Sequence, residues 1–162
     1  MTQKNAGREG SGAEQGLDLG ALRQTPGFMI RILQIQIFDS FFKHFEEAGL
    51  SPVDYGILLT VRDNPAVTQS ELAAVLKMQL PNLVKILVRM ENAGTLKRKR
   101  SLKDKRAVEL SLTASGRKEA DEANKRGRTF NAQTLAALSK PEQAAFLQML
   151  SRLVEAHKGA PT

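Results

Sequence analysis

Hydrophobic and polar positions alternate with two different periods along this chain. Between residues 80 and 92, Leu83, Leu87 and Met90 recur at helical spacing, while Asn82, Lys85, Arg89 and Asn92 fall on the opposite side. That is the pattern of an amphipathic helix with one inward and one polar face. Pro81 is tolerated only in a first turn, so the helix starts near Gln79 or Leu80. A shorter helix precedes it. Thr68-Gln69-Ser70-Glu71 is a capping box ahead of Leu72-Ala73-Ala74-Val75-Leu76. The two are separated by a tight break near Lys77-Met78-Gln79.

Beyond residue 95 the period drops to two. Leu96, Arg98 and Arg100 alternate with Lys97 and Lys99; Val108, Leu110 and Leu112 alternate with Glu109 and Ser111. These are two short strands, and residues 102–106 join them as a hairpin. Other helix starts carry their own caps. Ser51-Pro52-Val53-Asp54 precedes Ile57-Leu58-Leu59-Val61, and Thr113 opens a long polar helix running to about Leu138. Ser139-Lys140-Pro141-Glu142 is a further capping box. Behind it Phe146, Met149, Leu150, Leu153 and Val154 form one helical stripe.

Residues 25–48 read as a helix with Pro26 in its first turn and Gly49 at its end. This helix is apolar over too much of its circumference for a surface element. Phe28, Phe38, Phe41, Phe42 and Phe45 are five of the seven phenylalanines, with Met29, Ile30, Ile32, Leu33, Ile35 and Ile37 between them. It therefore belongs in a core, a subunit interface or a ligand cavity. Residues 1–20 hold five of the twelve glycines and almost no large apolar side chains. They read as a disordered tail, leaving residues 21–160 as one domain.

Composition adds exclusions. There is no cysteine, hence no disulfide, no thiolate zinc site and no thiol nucleophile. His44 and His157 are the only histidines, too few for a histidine-based metal site. No Gly-rich phosphate loop or metal-ligand spacing is present, so no catalytic residue, metal or cofactor is expected. No apolar run reaches the length of a membrane span and no secretory signal is visible, which predicts a cytoplasmic protein with no membrane partner.

Charge adds a location. The net charge is +7, and residues 97–106 alone contribute seven basic side chains and one acidic one. The hairpin thus carries nearly the whole imbalance, directly after a helix–turn–helix. That combination is a winged helix, with one helix entering the major groove and the wing reaching phosphate or the minor groove. Amide and basic side chains on the helix suit base edges and phosphates.

Residues 25–157 resemble the MarR family of transcriptional regulators. The resemblance rests on Glu71-Leu72-Ala73, on Asn82 through Glu91, and on Gly94-Thr95-Leu96-Lys97-Arg98. Its most specific part is Asp104-Lys105-Arg106 followed by Leu112-Thr113-Ala114-Ser115-Gly116. Thr95 departs from the usual aliphatic residue. The fold implied is mainly α with a small β-wing. A winged helix-turn-helix core at about 52–112 is flanked by N- and C-terminal dimerisation helices at about 25–48 and 113–157.

The resemblance implies a homodimer on a pseudo-palindromic double-stranded DNA operator, and a repressor released by a small molecule. The implied DNA contacts are Thr68 and Gln69 in the first helix, and Gln79, Pro81, Asn82, Lys85 and Arg89 in the second. In the wing they are Arg98, Lys103, Asp104, Lys105 and Arg106. Arg106 is expected in the minor groove with Asp104 orienting it, while the lysines position the protein on phosphates. Arg98 suits a structural role equally.

Thr25-Pro26-Gly27-Phe28 with Ile30-Arg31 resembles the subset of the family near genes for aromatic-acid degradation. That implies an aromatic acid or its coenzyme A thioester as effector. The expected pocket comprises Phe28, Arg31, Ile32, Ile35, Phe38, Phe42, Tyr55 and Leu58, with Lys43 or His44 available to an anion. An RNA- or ribosome-associated winged helix is the alternative. It would use the same basic hairpin but lacks the strand aromatics that stack single-stranded bases.

Overall fold

The computed structural model describes residues 18–102 and 104–157. The expected tail at 1–20 lies almost wholly outside the described residues, as does Lys103; a 3-10 turn occupies Gly20–Gln24. Among the described residues there are six α-helices and one two-stranded sheet: α1 Pro26–His44, α2 Pro52–Asp63, α3 Gln69–Val75, α4 Leu80–Asn92, β1 Leu96–Arg100, β2 Val108–Leu112, α5 Ala114–Thr134 and α6 Lys140–Ala156. The chain divides into two compact units, residues 1–36 and 37–162, with the division inside α1.

Two helices are shorter than their sequence patterns suggest. α1 stops at His44 rather than near residue 48, because a 3-10 turn at Glu46–Ala48 intervenes before Gly49, whose φ of 61° closes that turn. α5 stops at Thr134 instead of Leu138, and the chain turns toward the cap of α6.

In residues 18–36, the first half of α1 leaves Met29, Ile30, Leu33 and Ile35 exposed. Within residues 37–157 the core has two parts. The larger is built where Ile57, Leu58 and Val61 of α2 meet Leu72 of α3, Leu83 and Leu87 of α4, Leu96 of β1, Leu110 of β2, and Ala120 and Ala123 of α5. The smaller is an aromatic cluster of Phe41, Phe45 and Phe130, with Tyr55 against it. Phe41 and Phe45 stack at 4.2 Å, and Phe130 meets Phe41 edge-on at 5.4 Å. Of the five phenylalanines of residues 25–48, Phe41 of α1 and Phe45 just beyond its end are thus core residues. Phe38 and Phe42 of the same helix remain exposed.

Local chemistry accounts for the boundaries. Ser51, Thr68 and Ser139 all close reciprocal capping boxes, with Asp54, Glu71 and Glu142. The caps depress the pKa of Glu71 and Glu142, because the ionised carboxylates accept hydrogen bonds from Thr68 and Ser139. α3 ends in a Schellman arrangement. Met78 N–H donates to the Ala73 carbonyl at 2.9 Å, and Lys77 adopts φ 53°. A non-glycine residue in this left-handed position produces the sharp break that the sequence marks only by its loss of helical period.

α6 has no buried residue, and Leu147, Met149, Leu153 and Val154 stand exposed along it. An exposed apolar stripe of this kind favours association.

Candidate nucleic-acid interface

The helix–turn–helix and the wing are held together by short-range devices. β1 and β2 pair antiparallel with Leu96 opposite Leu112, Arg98 opposite Leu110 and Arg100 opposite Val108. Leu96 and Leu110 sit in the core, so the opposite face of the hairpin carries Lys97 and Lys99 outward. The residues just before α3 add to the sheet edge: Leu110 N–H donates to the Val67 carbonyl at 2.9 Å, and Thr68 bridges Glu109. This contact ties the wing to the start of the helix–turn–helix. Residues 67–68 are too few to show a strand period in sequence.

α5 closes on the base of the wing. Thr113 Oγ1 donates to the Gly94 carbonyl at 2.6 Å, and Thr113 N–H to the Thr95 carbonyl at 3.0 Å. A Cβ on Gly116 would lie 1.8 Å from that same Thr95 oxygen, so only glycine permits the approach. Thr95 is buried and its hydroxyl donates to Glu119 at 3.1 Å. The hydroxyl of this threonine, which stands where an aliphatic residue was expected, thus finds a carboxylate acceptor on α5.

α4 presents Gln79, Pro81, Asn82, Lys85, Arg89 and Asn92 to solvent and buries Leu83, Leu87 and Met90. Lys85, Lys97, Lys99, Arg100, Lys105 and Arg106 all have exposed side chains. None of their charged ends has a hydrogen-bond or ion-pair partner among the described residues. Helix and hairpin together form a cationic surface on which these six charges are unspent among the described residues.

Three expected contacts differ in geometry. Arg89 is not a free reader: its Nη2 lies 2.5 Å from Asp54 Oδ1 at the N-terminus of α2. Arg98 is tied to Glu91 of α4, with Nη2 at 2.6 Å and Nε at 2.8 Å from Oε2, and its backbone N–H donates to Oε1. These hydrogen bonds hold the Glu91 carboxyl below the usual carboxylate range. Asp104 holds the turn instead of the Arg106 guanidinium, since Oδ1 accepts from the Arg106 backbone N–H at 2.9 Å. An Asx-type turn satisfies the carboxylate locally and leaves the arginine head free. Thr68 and Gln69 sit at the start of α3; Thr68 spends its side chain on the cap, and Gln69 Nε2 is buried with no partner.

The expected ligand residues are distributed over both units. Phe28 and Ile32 are half-buried and Arg31 and Ile35 exposed on the first half of α1. Leu58 is fully enclosed in the winged-helix core, facing no open groove. Tyr55 is half-buried beside the aromatic cluster, with its hydroxyl where a Cβ on Gly127 would fall. Burial pushes its pKa up, with Arg62 opposing weakly. Phe42 does line a groove of about 440 Å³, with Lys43, Phe45, Glu46, Gly49, Leu50 and Ser51. His44 is turned away to the Arg126 carbonyl, 3.2 Å from its Nε2. Among the described residues no group of His, Asp and Glu is arranged to hold a metal ion, and no helix is long and apolar enough to cross a membrane.

The architecture recurs in known proteins. A model of the MarR family matches residues 50–108, the segment from the cap of α2 to the second wing strand. The transcriptional regulator HosA of Escherichia coli is 30% identical over 109 residues, covering 67% of this chain and 81% of HosA. A transcriptional regulatory protein for the hcr operon of Thauera aromatica is 27% identical over 143 residues, 88% of this chain and 86% of that one. Among solved structures, the transcriptional repressor CouR bound to a 23-mer DNA duplex superposes with a TM-score of 0.80 at 29% identity, covering 86% of this chain and 99% of CouR. CouR bound to p-coumaroyl-CoA gives a TM-score of 0.76 at 28% identity, covering 86% and 98%. Winged-helix geometry, the unspent cationic surface of α4 and the hairpin, and these relatives together show that the chain belongs to the MarR family of transcriptional regulators, which are not enzymes.

Proposed function

We propose that this chain is a dimeric repressor that binds duplex operator DNA through α4 and the β1–β2 wing and is released by an aromatic acid or its coenzyme A thioester. The observation carrying the DNA reading is the exposed amide and basic stripe of α4 beside a hairpin on which Lys97, Lys99, Arg100, Lys105 and Arg106 are exposed and have no ion-pair partner among the described residues. Duplex DNA supplies both a major groove for the helix and phosphates for the hairpin. The DNA-bound CouR structure supports the same assignment. An RNA partner is not favoured, because β1 and β2 carry no aromatic side chain.

Two apolar helices support dimerisation. α6 buries none of its residues and α1 exposes Met29, Ile30, Leu33, Ile35, Phe38 and Phe42. A second copy offers both stripes a cover, and a two-fold dimer places two recognition helices about one DNA turn apart.

The effector reading rests on CouR bound to p-coumaroyl-CoA and on the groove at the end of α1. Phe42 offers that groove an aromatic face and Lys43 a cation for a carboxylate or phosphate. The effector acts by population shift, favouring a spacing of recognition helices that mismatches the operator.

Fluorescence anisotropy on DNA taken from upstream of the gene tests both halves. Operator affinity should fall with salt at a log–log slope of about −5 or steeper. Added p-coumaroyl-CoA should raise the apparent Kd. Salt-insensitive binding refutes the DNA reading, and an unchanged Kd together with no thermal shift refutes the acyl-CoA reading.

A further inference from the structure

Arg89 belongs to the outward stripe of α4 by sequence, yet its guanidinium turns back to α2. We propose that Asp54 and Arg89 are a positioning pair that fixes the orientation of α4 against α2, so that Arg89 serves operator recognition through Asp54 rather than by touching a base. The proposal rests on α4 being the recognition helix.

The Asp54 side chain is 8% exposed and that of Arg89 is 62% exposed, so a surface arginine reaches down to a buried carboxylate. Both Asp54 oxygens are used. Oδ1 takes Arg89 Nη2, while Oδ2 accepts from the Ser51 hydroxyl at 2.8 Å and from the Ser51 backbone N–H at 3.4 Å. One carboxylate therefore closes the first turn of α2 and grips the last turn of α4.

That grip supplies what the core does not. Leu83, Leu87 and Met90 hold α4 by apolar contact, which is non-directional and allows a helix to roll about its axis. A charge-assisted hydrogen bond has a direction. Glu91, about 200° around the helix from Arg89, is tied to Arg98 at the base of the wing. The end of α4 is thus pinned from two sides, to α2 by Arg89 and to β1 by Glu91. Ser51 also lines the groove beside Phe42 and Lys43, so the pair is a polar link between that groove and α4.

The test uses the full chain and four variants, Asp54→Asn, Arg89→Met, their combination, and Asp54→Glu. Affinity is measured for an operator duplex and for a scrambled duplex of the same composition, corrected for active fraction. A rolled helix that no longer reads one base pair binds the operator about tenfold more weakly. Asp54→Asn and Arg89→Met should each lower the operator-to-scrambled ratio by that factor, leaving scrambled-duplex affinity and its salt slope unchanged. The double variant should match the singles, since the two residues act as a unit. Asp54→Glu, which keeps charge and cap, should restore the ratio.

Loss of stability alone lowers active fraction without moving the ratio, and that result overturns the proposal. So does an Arg89→Met variant that weakens both duplexes equally and reduces the salt slope by about one, the behaviour of a phosphate contact. A wild-type ratio near one refutes the operator reading itself. A discriminating wild type with an unchanged Asp54→Asn ratio refutes only the positioning pair.

Discussion

Replacing Gly116 by alanine tests the join between α5 and the wing. The added Cβ would stand 1.8 Å from the Thr95 carbonyl oxygen and 2.7 Å from its carbon. A carbon–oxygen contact is comfortable at about 3.3 Å, so the N-terminus of α5 or the start of β1 must retreat by roughly 1.5 Å. Backbone, not a flexible side-chain tip, stands in the way. The retreat also breaks the Thr113 hydrogen bonds at 2.6 and 3.0 Å.

Overpacking of this kind costs about 1–3 kcal/mol, and losing the capping interactions adds about 1 kcal/mol. The gain in helix propensity from glycine to alanine returns at most about 1 kcal/mol. The expected net loss is about 1–3 kcal/mol, or roughly 2–12 °C in Tm for a chain of this length. Urea or thermal unfolding measures it, at equal protomer concentration because dimers shift apparent stability. Gly27→Ala is the control. It lies in α1 with nothing within 4 Å of the added atom, and should be neutral or stabilising by up to about 1 kcal/mol. A Gly116→Ala protein as stable as its parent would refute the close approach of α5 to the wing.

Lys77→Gly should raise stability by about 1 kcal/mol in a urea melt, because Lys77 holds φ 53° between α3 and α4. A loss would show that the lysine side chain contributes something the backbone angle does not reveal. Tyr55 is the sole tyrosine, with no tryptophan in the chain, so tyrosinate absorbance reports one site. Burial raises its folded pKa, so its contribution to stability is full below about pH 10 and is lost as pH rises through the higher folded value. A titration midpoint at or below 10 would contradict the burial. Arg106→Ala should cost operator affinity chiefly at A·T-rich flanks, whereas Lys99→Ala should weaken all duplexes alike and reduce the salt slope by about one; anisotropy on paired duplexes distinguishes them.

Helix existence, caps and the wing were legible in the sequence because each rests on neighbours a few residues apart. The boxes at Ser51, Thr68 and Ser139 formed where the residue spacing placed them, and the period-two segments paired as Leu96–Leu112 to Arg100–Val108. Arg89 is exposed as its helical spacing predicts, but that spacing fixes where a Cα points, not where four further rotatable bonds carry the guanidinium, which turns back to Asp54. Leu58 fills the core, a placement the sequence does not show, because an apolar residue one turn from Tyr55 reads the same whether it lines a cavity or fills a core.

The sequence by itself therefore determined the order of elements, the helix starts and the concentration of charge in one hairpin. All are short-range consequences of side-chain periodicity, capping and composition. Tertiary structure alone decided which charges remained free. Arg89 and Arg98 found carboxylates 35 and seven residues away, while Lys85, Lys99 and Arg106 found none among the described residues. Chain separation does not encode such distances; they are fixed only when the apolar faces of α2, α4 and α5 close on one core and bring the polar groups at its rim into reach.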